Sequence, residues 1–240
     1  MDPLSAADLT AKWKNADWYA SRNREYPSDN LNLRLRRALS WLERAEHAHR
    51  EGDHDTAFIL YWIAFNSVYG QSGSADDDYQ PRQERAGQHA YLGKIARLYP
   101  ALRAAFDTQQ LPDAVYALLE SKYVYEPFWR SRAGASRYRE WATQFKQLRY
   151  RIASRMRRLR ATTIDADANI ESVLCEVFDR VYTLRNQLMH GGATWNSSVN
   201  REQVMMGTAA IATLLPCFID AMIENPDAGW GSPRYPVVND

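Results

Sequence analysis

The sequence predicts an all-α protein. Three observations lead there. Long segments carry apolar residues three and four apart, the repeat of one helix face. Gly, Pro, Asn and Asp fall where helices start and stop. No stretch alternates apolar and polar residues for long enough to make a half-buried strand, and there is no internal repeat or coiled-coil heptad.

Residues 1–29 carry one short helical pattern and the aromatics Trp13, Trp18, Tyr19 and Tyr26, which reads as an N-terminal arm packed on the main body. Pro27-Ser28-Asp29-Asn30 signals a helix start. Residues 30–70 hold the next two helices. Leu31, Leu35, Leu39, Leu42 and Ala45 form the apolar face of the first, which Gly52-Asp53 ends. The second begins at Gly52-Asp53, contains Ala57 to Tyr69 and is apolar nearly all round, so it belongs at the centre of a core. A buried strand competes for that run, but its length and the lack of a breaker before Gly70 favour a helix.

Residues 71–164 read as an insertion with a mobile loop and a basic helix. The loop covers residues 70–88. Its run Asp76 to Asp78 is better read as solvated than as a metal site, because nothing orders the carboxylates. Short helices between Ala90 and Glu120 are punctuated by Pro100 and Pro112. An aromatic connector (Tyr123 to Trp129) leads to a longer helix from about Ser136 to Arg160. Residues 165–225 hold two long helices. The first starts near Asp165 or Asp167 and keeps Ile170, Val173, Leu174, Val177, Val181, Leu184 and Leu188 on one stripe. The second starts near Asn200, where Asn200 and Gln203 are spaced as a capping box, and continues through Ile211, Leu215, Phe218 and Met222 with a kink expected at Pro216. The Gly- and Pro-rich tail, 226–240, is expected to be peripheral.

At 240 residues the chain is long enough for a substantial core, as one domain or one domain with an insertion. A formal net charge of +1 gives no global attraction for nucleic acid, so any RNA affinity must come from local patches. Cys175 and Cys217 both sit in apolar helical patterns and read as buried free thiols, neither a disulfide framework nor a zinc site. The N-terminus shows no basic segment followed by an apolar run, and no uninterrupted apolar run is long enough to span a bilayer. These features predict a cytoplasmic protein with no membrane association.

The most informative stretch is Tyr182-Thr183-Leu184-Arg185-Asn186-Gln187-Leu188-Met189-His190-Gly191-Gly192. With Ile170 at zero and about 100° per residue, Asn186 falls near ~160° and His190 near ~200°, opposite the apolar stripe. Asp179 and Thr183 lie on the same outward stripe, while Arg185 flanks the apolar one. A solvated helix end with Gly191-Gly192 as its stop is the plain alternative. Arg185-Asn186 followed by His190 resembles the Arg-Asn-x-x-x-His signature of the HEPN superfamily. Trp62-Ile63-Ala64-Phe65-Asn66 is similar to the aromatic-rich helix of its Apea-like group. The resemblance covers residues 31–70 and 165–224. It implies an up-and-down four-helix bundle with additional helices inserted between the helix pairs.

Metal-free RNA cleavage by 2′-hydroxyl attack needs a base near the hydroxyl, an acid near the 5′-oxygen and positive charge on the phosphorane. His190 can move protons near neutral pH. Arg185 donates a planar, permanently charged fork to phosphate. Asn186 can orient His190 or bond the ribose. One motif supplies one group titrating near neutrality, so acid and base together require a second copy. The resemblance implies how this is met: a homodimer in which two motifs face one composite cleft. It also implies an endoribonuclease acting as a toxin or defence effector, restrained by a cognate antitoxin or regulator, with no cofactor and no metal. The rival readings are a non-catalytic HEPN module that binds RNA, nucleotide or a regulatory protein, and a purely structural helical interaction domain.

A second clue is the basic helix. Lys146, Arg149, Arg151, Arg155, Arg157, Arg158 and Arg160 occur within fifteen residues with no acid among them and Tyr150 interleaved. Such a cluster suits an RNA backbone, or else a solvated face paired with acids elsewhere. His47, His49, His54 and His89 lack acidic partners at ligand spacing and read as ordinary surface histidines. No phosphate-binding loop, dinucleotide fingerprint or Ser/His/Asp arrangement is present.

Overall fold

The computed structural model describes residues 4–19, 30–70, 81–107, 110–161 and 166–235. Every extended regular element among the described residues is helical, as the periodicity predicts. The chain divides into two compact units: a central one from Pro100 to Ala210, and a terminal one made of Asp2–Tyr99 with Ile211–Asp240. The two helix pairs expected to form one bundle are thus shared between units.

In the terminal unit, α1 (Ala6–Asn15) opens with a capping box: the Ser5 hydroxyl accepts from the Asp8 N–H and the Asp8 carboxylate accepts from the Ser5 N–H. Helix α2 (Asn30–Arg50) packs most extensively on α3 (His54–Tyr69). Between them Gly52 takes φ +76, a left-handed turn that glycine adopts without a Cβ penalty. Asp53 caps α3 by accepting from the Thr56 N–H. Helix α3 buries Ala57, Phe58, Tyr61, Trp62, Ala64, Phe65 and Val68, each worth up to about 1.5–3 kcal/mol for a large side chain, which makes it the core helix its composition predicts. Helix α4 (Pro81–Leu98) begins inside the stretch read as a loop. Proline suits a first helical turn because its missing N–H has no intrahelical partner there. Asp76 to Asp78 lie outside the described residues.

The described part of the tail, residues 226–235, is not peripheral. Trp230 is buried, its ring centroid 6.1 Å from that of Tyr91. Lys94 donates to the carbonyls of Ala228 and Gly229. Arg34, fully buried, donates to the carbonyls of Ser67 and Val68 in the last turn of α3 and to those of Gly231 and Ser232 in the tail. No sequence pattern of the tail alone announces this, because its anchors are cations on distant helices.

The central unit holds α5 (Leu102–Asp107), α6 (Gln110–Glu120), a 3₁₀ turn (Lys122–Val124), α7 (Glu126–Arg132), a second 3₁₀ turn (Ser136–Tyr138), α8 (Trp141–Ala161) and α9 (Ala166–Met189). The long helix expected from Ser136 therefore starts at Trp141. Helix α9 packs against α8, α6 and the first 3₁₀ turn. Its stripe from Ile170 to Leu184 is buried as the spacing predicts, with Leu188 half-buried at the end. Packing goes further round the helix than the stripe, because Phe178, Arg180, Tyr182 and Thr183 are buried too.

Helix α10 (Arg201–Glu224) contains the boundary between the units and continues through Pro216. The capping box expected at its start does not form: the Asn200 Oδ1 is buried without a hydrogen-bond partner. By length and composition α10 is apolar enough to cross a membrane, although threonines interrupt its apolar residues. Within the protein its apolar window is 78% buried, the pattern of a core helix.

Candidate active site and basic face

Helix α9 ends in a double-glycine stop that positions His190. The Gly192 N–H donates to the Gln187 carbonyl at 2.7 Å and the Gly191 N–H to the Leu188 carbonyl at 3.2 Å, the paired bonds of a Schellman cap. Gly191 takes φ +70. A Cβ on Gly192 would stand 2.9 Å from the Gln187 carbonyl oxygen. The two glycines therefore do different work: Gly191 reverses the chain, and Gly192 permits the close approach. His190 is the capping residue itself. Its side chain is exposed, and its backbone N–H still donates to the Asn186 carbonyl at 3.1 Å.

One turn earlier, the Arg185 Nη1 donates to the Asn186 Oδ1 at 2.8 Å, and both residues are half-buried. The Arg185 guanidinium carbon lies 5.9 Å from the Tyr182 ring centroid. Neighbouring side chains on one helix are thus coupled, which holds the arginine fork near the helix end. The outward stripe is only partly outward: Asp179 is half-buried, and Thr183 is buried with its hydroxyl donating to the Asp179 carbonyl.

The helix end is tied to the aromatic connector. Gln187 Nε2 donates to the Tyr123 carbonyl at 2.6 Å, and Trp129 Nε1 donates to the same oxygen at 2.8 Å. Behind this contact, Tyr125, Phe128 and Phe145 form a small apolar cluster with Trp141 and Leu148 against it. Arg180 is embedded there. It is 1% exposed, pairs with Glu176 at 2.8 Å, and places its guanidinium carbon 4.3 Å from the Tyr125 ring centroid. Burial pulls its pKa down, and the Glu176 carboxylate opposes that shift. Sequence reading missed Arg180. Its only signal was Glu176 four residues before it.

The basic helix is α8. It buries Ile152, Met156 and Leu159, which turns Lys146, Arg151, Arg157 and Arg158 to solvent around a largely exposed Tyr150. Arg155 is half-buried. Arg149 differs from the rest: it pairs with Glu120 at 2.6 Å and stacks over Phe145. Lys146, Arg151, Arg155 and Arg157 form no ion pair among the described residues. The Arg160 side chain lies outside the described residues.

Exposed apolar side chains stand at the end of the motif helix and in the segment that follows it: Met189 is 54% exposed, Trp195 71% and Val199 91%. No group of three metal-ligating residues exists among the described residues. His47 is exposed, but His49 and His54 are half-buried with rings 5.4 Å apart, more enclosed than surface histidines. Burial, then repulsion from His54, lowers the His49 pKa. Cys175 and Cys217 are free and half-buried, with thiol pKa values pushed up by burial to about 12 and about 11. No family model, curated protein or solved structure matches the chain.

Proposed function

We propose that this chain is a HEPN-fold, metal-independent endoribonuclease that cleaves RNA by 2′-hydroxyl attack, leaving 2′,3′-cyclic phosphate and 5′-hydroxyl ends, and that it serves as a toxin or defence effector. The observation that carries the reading is the helix end itself. An arginine fork is held by the adjacent asparagine, and an exposed histidine stands one turn further on at a glycine-fixed terminus. In this reading Arg185 stabilises the phosphorane oxygens, His190 takes or gives the proton, and Asn186 holds the arginine while its remaining capacity faces ribose.

A single imidazole at the helix end leaves one proton-transfer role unfilled, so the working unit is a homodimer whose two His190 side chains divide base and acid. Met189 at the end of the motif helix, with Trp195 and Val199 in the segment after it, supplies exposed apolar surface for that pairing. The outer face of α8 carries the RNA backbone through Lys146, Arg151, Arg157 and Arg158, with Arg155 at its edge. A cognate antitoxin or regulator would act by covering the helix end.

The test is cleavage of a mixed RNA pool in EDTA by the wild-type protein, His190→Ala and Arg185→Ala. The expected result is cyclic phosphate ends from the wild type, and loss of cleavage in both variants without loss of fold. Folded, dimeric wild-type protein that cuts nothing would replace this reading with the non-catalytic module that binds RNA or a partner.

A further inference from the structure

The central unit contains a cleft of about 570 Å³, a size typical of a small-molecule site. Three aromatic side chains line it. Trp141 and Phe145 stand one turn apart on α8, and Tyr123 faces the same space from the 3₁₀ turn. Ala117 and Ala142 leave the room that larger side chains would fill. The walls are braced from behind. Trp141 meets Phe128 edge-on at 5.0 Å, Phe145 stacks near Tyr125 at 5.1 Å, and Arg180 lies beneath both Tyr125 and Phe145. A site with rigid aromatic walls loses little freedom when a planar ligand enters.

Polar side chains share the lining: Glu120, Ser121, Lys122, Glu202 and Gln203 stand beside the aromatic ones. Glu120 is occupied by Arg149. Glu202, in the first turn of α10, makes no ion pair among the described residues, and Gln203 lies next to it. Lys122 supplies a cation, its Nζ 5.2 Å from the Tyr123 ring centroid.

The geometry points to a nucleobase pocket that takes guanine from the RNA, an assignment that rests on the ribonuclease reading for its substrate. Aromatic walls stack any base. The choice among bases comes from Glu202. A carboxylate is an acceptor only, and the Watson–Crick edge of guanine alone presents two adjacent donors, N1–H and the N2 amine. Adenine and cytosine each set a ring acceptor beside their amine, and uracil flanks its one N–H with two carbonyls. Each would bring a lone pair against the carboxylate. Lys122 then meets a phosphate of the same nucleotide. The pocket is coupled to the motif because the Tyr123 carbonyl is held by Gln187, one turn before His190. A guanine seated here packs on Tyr123, whose carbonyl is bonded to the helix that carries Arg185 and His190.

The experiment is calorimetric titration of the full-length protein with GMP, AMP, CMP and UMP, for the wild type, Glu202→Gln, Trp141→Ala and Tyr123→Ala, beside mapping of RNA cleavage sites. Glu202 is exposed, so its replacement leaves folding intact, and Tyr123→Ala covers the case in which Trp141→Ala unfolds. GMP should bind at least tenfold tighter than the other three. Glu202→Gln should erase that preference, and each aromatic truncation should weaken GMP by about ten- to a hundredfold. Equal binding of all four nucleotides, no binding at millimolar concentration, or a preference that survives Glu202→Gln would overturn the pocket assignment. Cleavage that needs His190 but shows no preference for guanine would discard the pocket and keep the nuclease. Selective GMP binding by a protein that cleaves no RNA would keep the pocket and discard the nuclease.

Discussion

Replacing Gly191 by alanine puts an L side chain at φ +70, where the Cβ crowds its own backbone. No atom lies within 4 Å of the added Cβ, so the cost is conformational alone. The left-handed penalty is about 1–2 kcal/mol. The lost freedom of glycine in the unfolded chain offsets about 0.5 kcal/mol of it. A net loss of about 1 kcal/mol follows, equivalent to about 2–4 °C in Tm for a chain of this size. Gly191→Asn should cost about half as much, since asparagine tolerates this region. Gly192→Ala acts differently. Its Cβ would lie 2.9 Å from the Gln187 carbonyl oxygen and 3.5 Å from its carbon, both backbone atoms that cannot swing aside. The 2.7 Å bond closing the cap must open, which costs about 1 kcal/mol, and the chain that carries His190 must move. Thermal unfolding and RNA cleavage measured on both variants separate the two effects. Gly191→Ala should lose stability and keep cleavage, whereas Gly192→Ala should lose about as much stability and at least tenfold in cleavage. Undiminished stability in Gly191→Ala, or undiminished cleavage in Gly192→Ala, would refute the role assigned to the cap.

Three further outcomes are expected. Arg34→Met strips four carbonyls of their donor and should cost about 3 kcal/mol, since the tail pair regains water, with limited proteolysis then cutting near Gly231. Cys175 and Cys217 should resist a thiol reagent at pH 8 in the folded protein and react once it is unfolded. Their folded pKa values are raised, so this contribution to stability is complete below the ordinary thiol value of 9.0, and it is lost as pH rises toward about 11–12, visible as a falling Tm. Trp195→Asp with Met189→Glu removes exposed apolar surface at and just after the end of the motif helix and should shift the protein to monomer in sedimentation, with cleavage lost in parallel. A dimer unchanged by the double substitution would place the interface elsewhere.

The helices were legible because burial imposes a period. Leu31 to Ala45 and Ile170 to Leu184 occupy the faces their spacing assigns. The helix stop at Gly191-Gly192 was legible for the same local reason, since a cap is written in adjacent residues. What escaped the sequence depends on distant partners. Arg34 is buried because four carbonyls from two separate segments converge on it, and Arg180 because two aromatic rings and Glu176 enclose it. Thr183 is buried although it stands opposite the stripe, because neighbours pack round α9 on more than one side. At Asn200 the spacing was right for a capping box, yet its Oδ1 has no hydrogen-bond partner, and Gln203 lines the cleft. The cleft itself had no linear signature, as its walls come from α6, the 3₁₀ turn, α8 and the start of α10.

The most direct test of the account uses two RNA substrates that differ only at the mapped cleavage site, one with ribose and one with a single 2′-deoxyribose. Both are incubated in EDTA with the wild-type protein. The account expects the ribose substrate to be cut to a 2′,3′-cyclic phosphate and the deoxy substrate to bind equally well and remain intact. Cleavage of the deoxy substrate at the same position would contradict it, because the attacking group would then be water and the roles given to His190 and Arg185 would not apply.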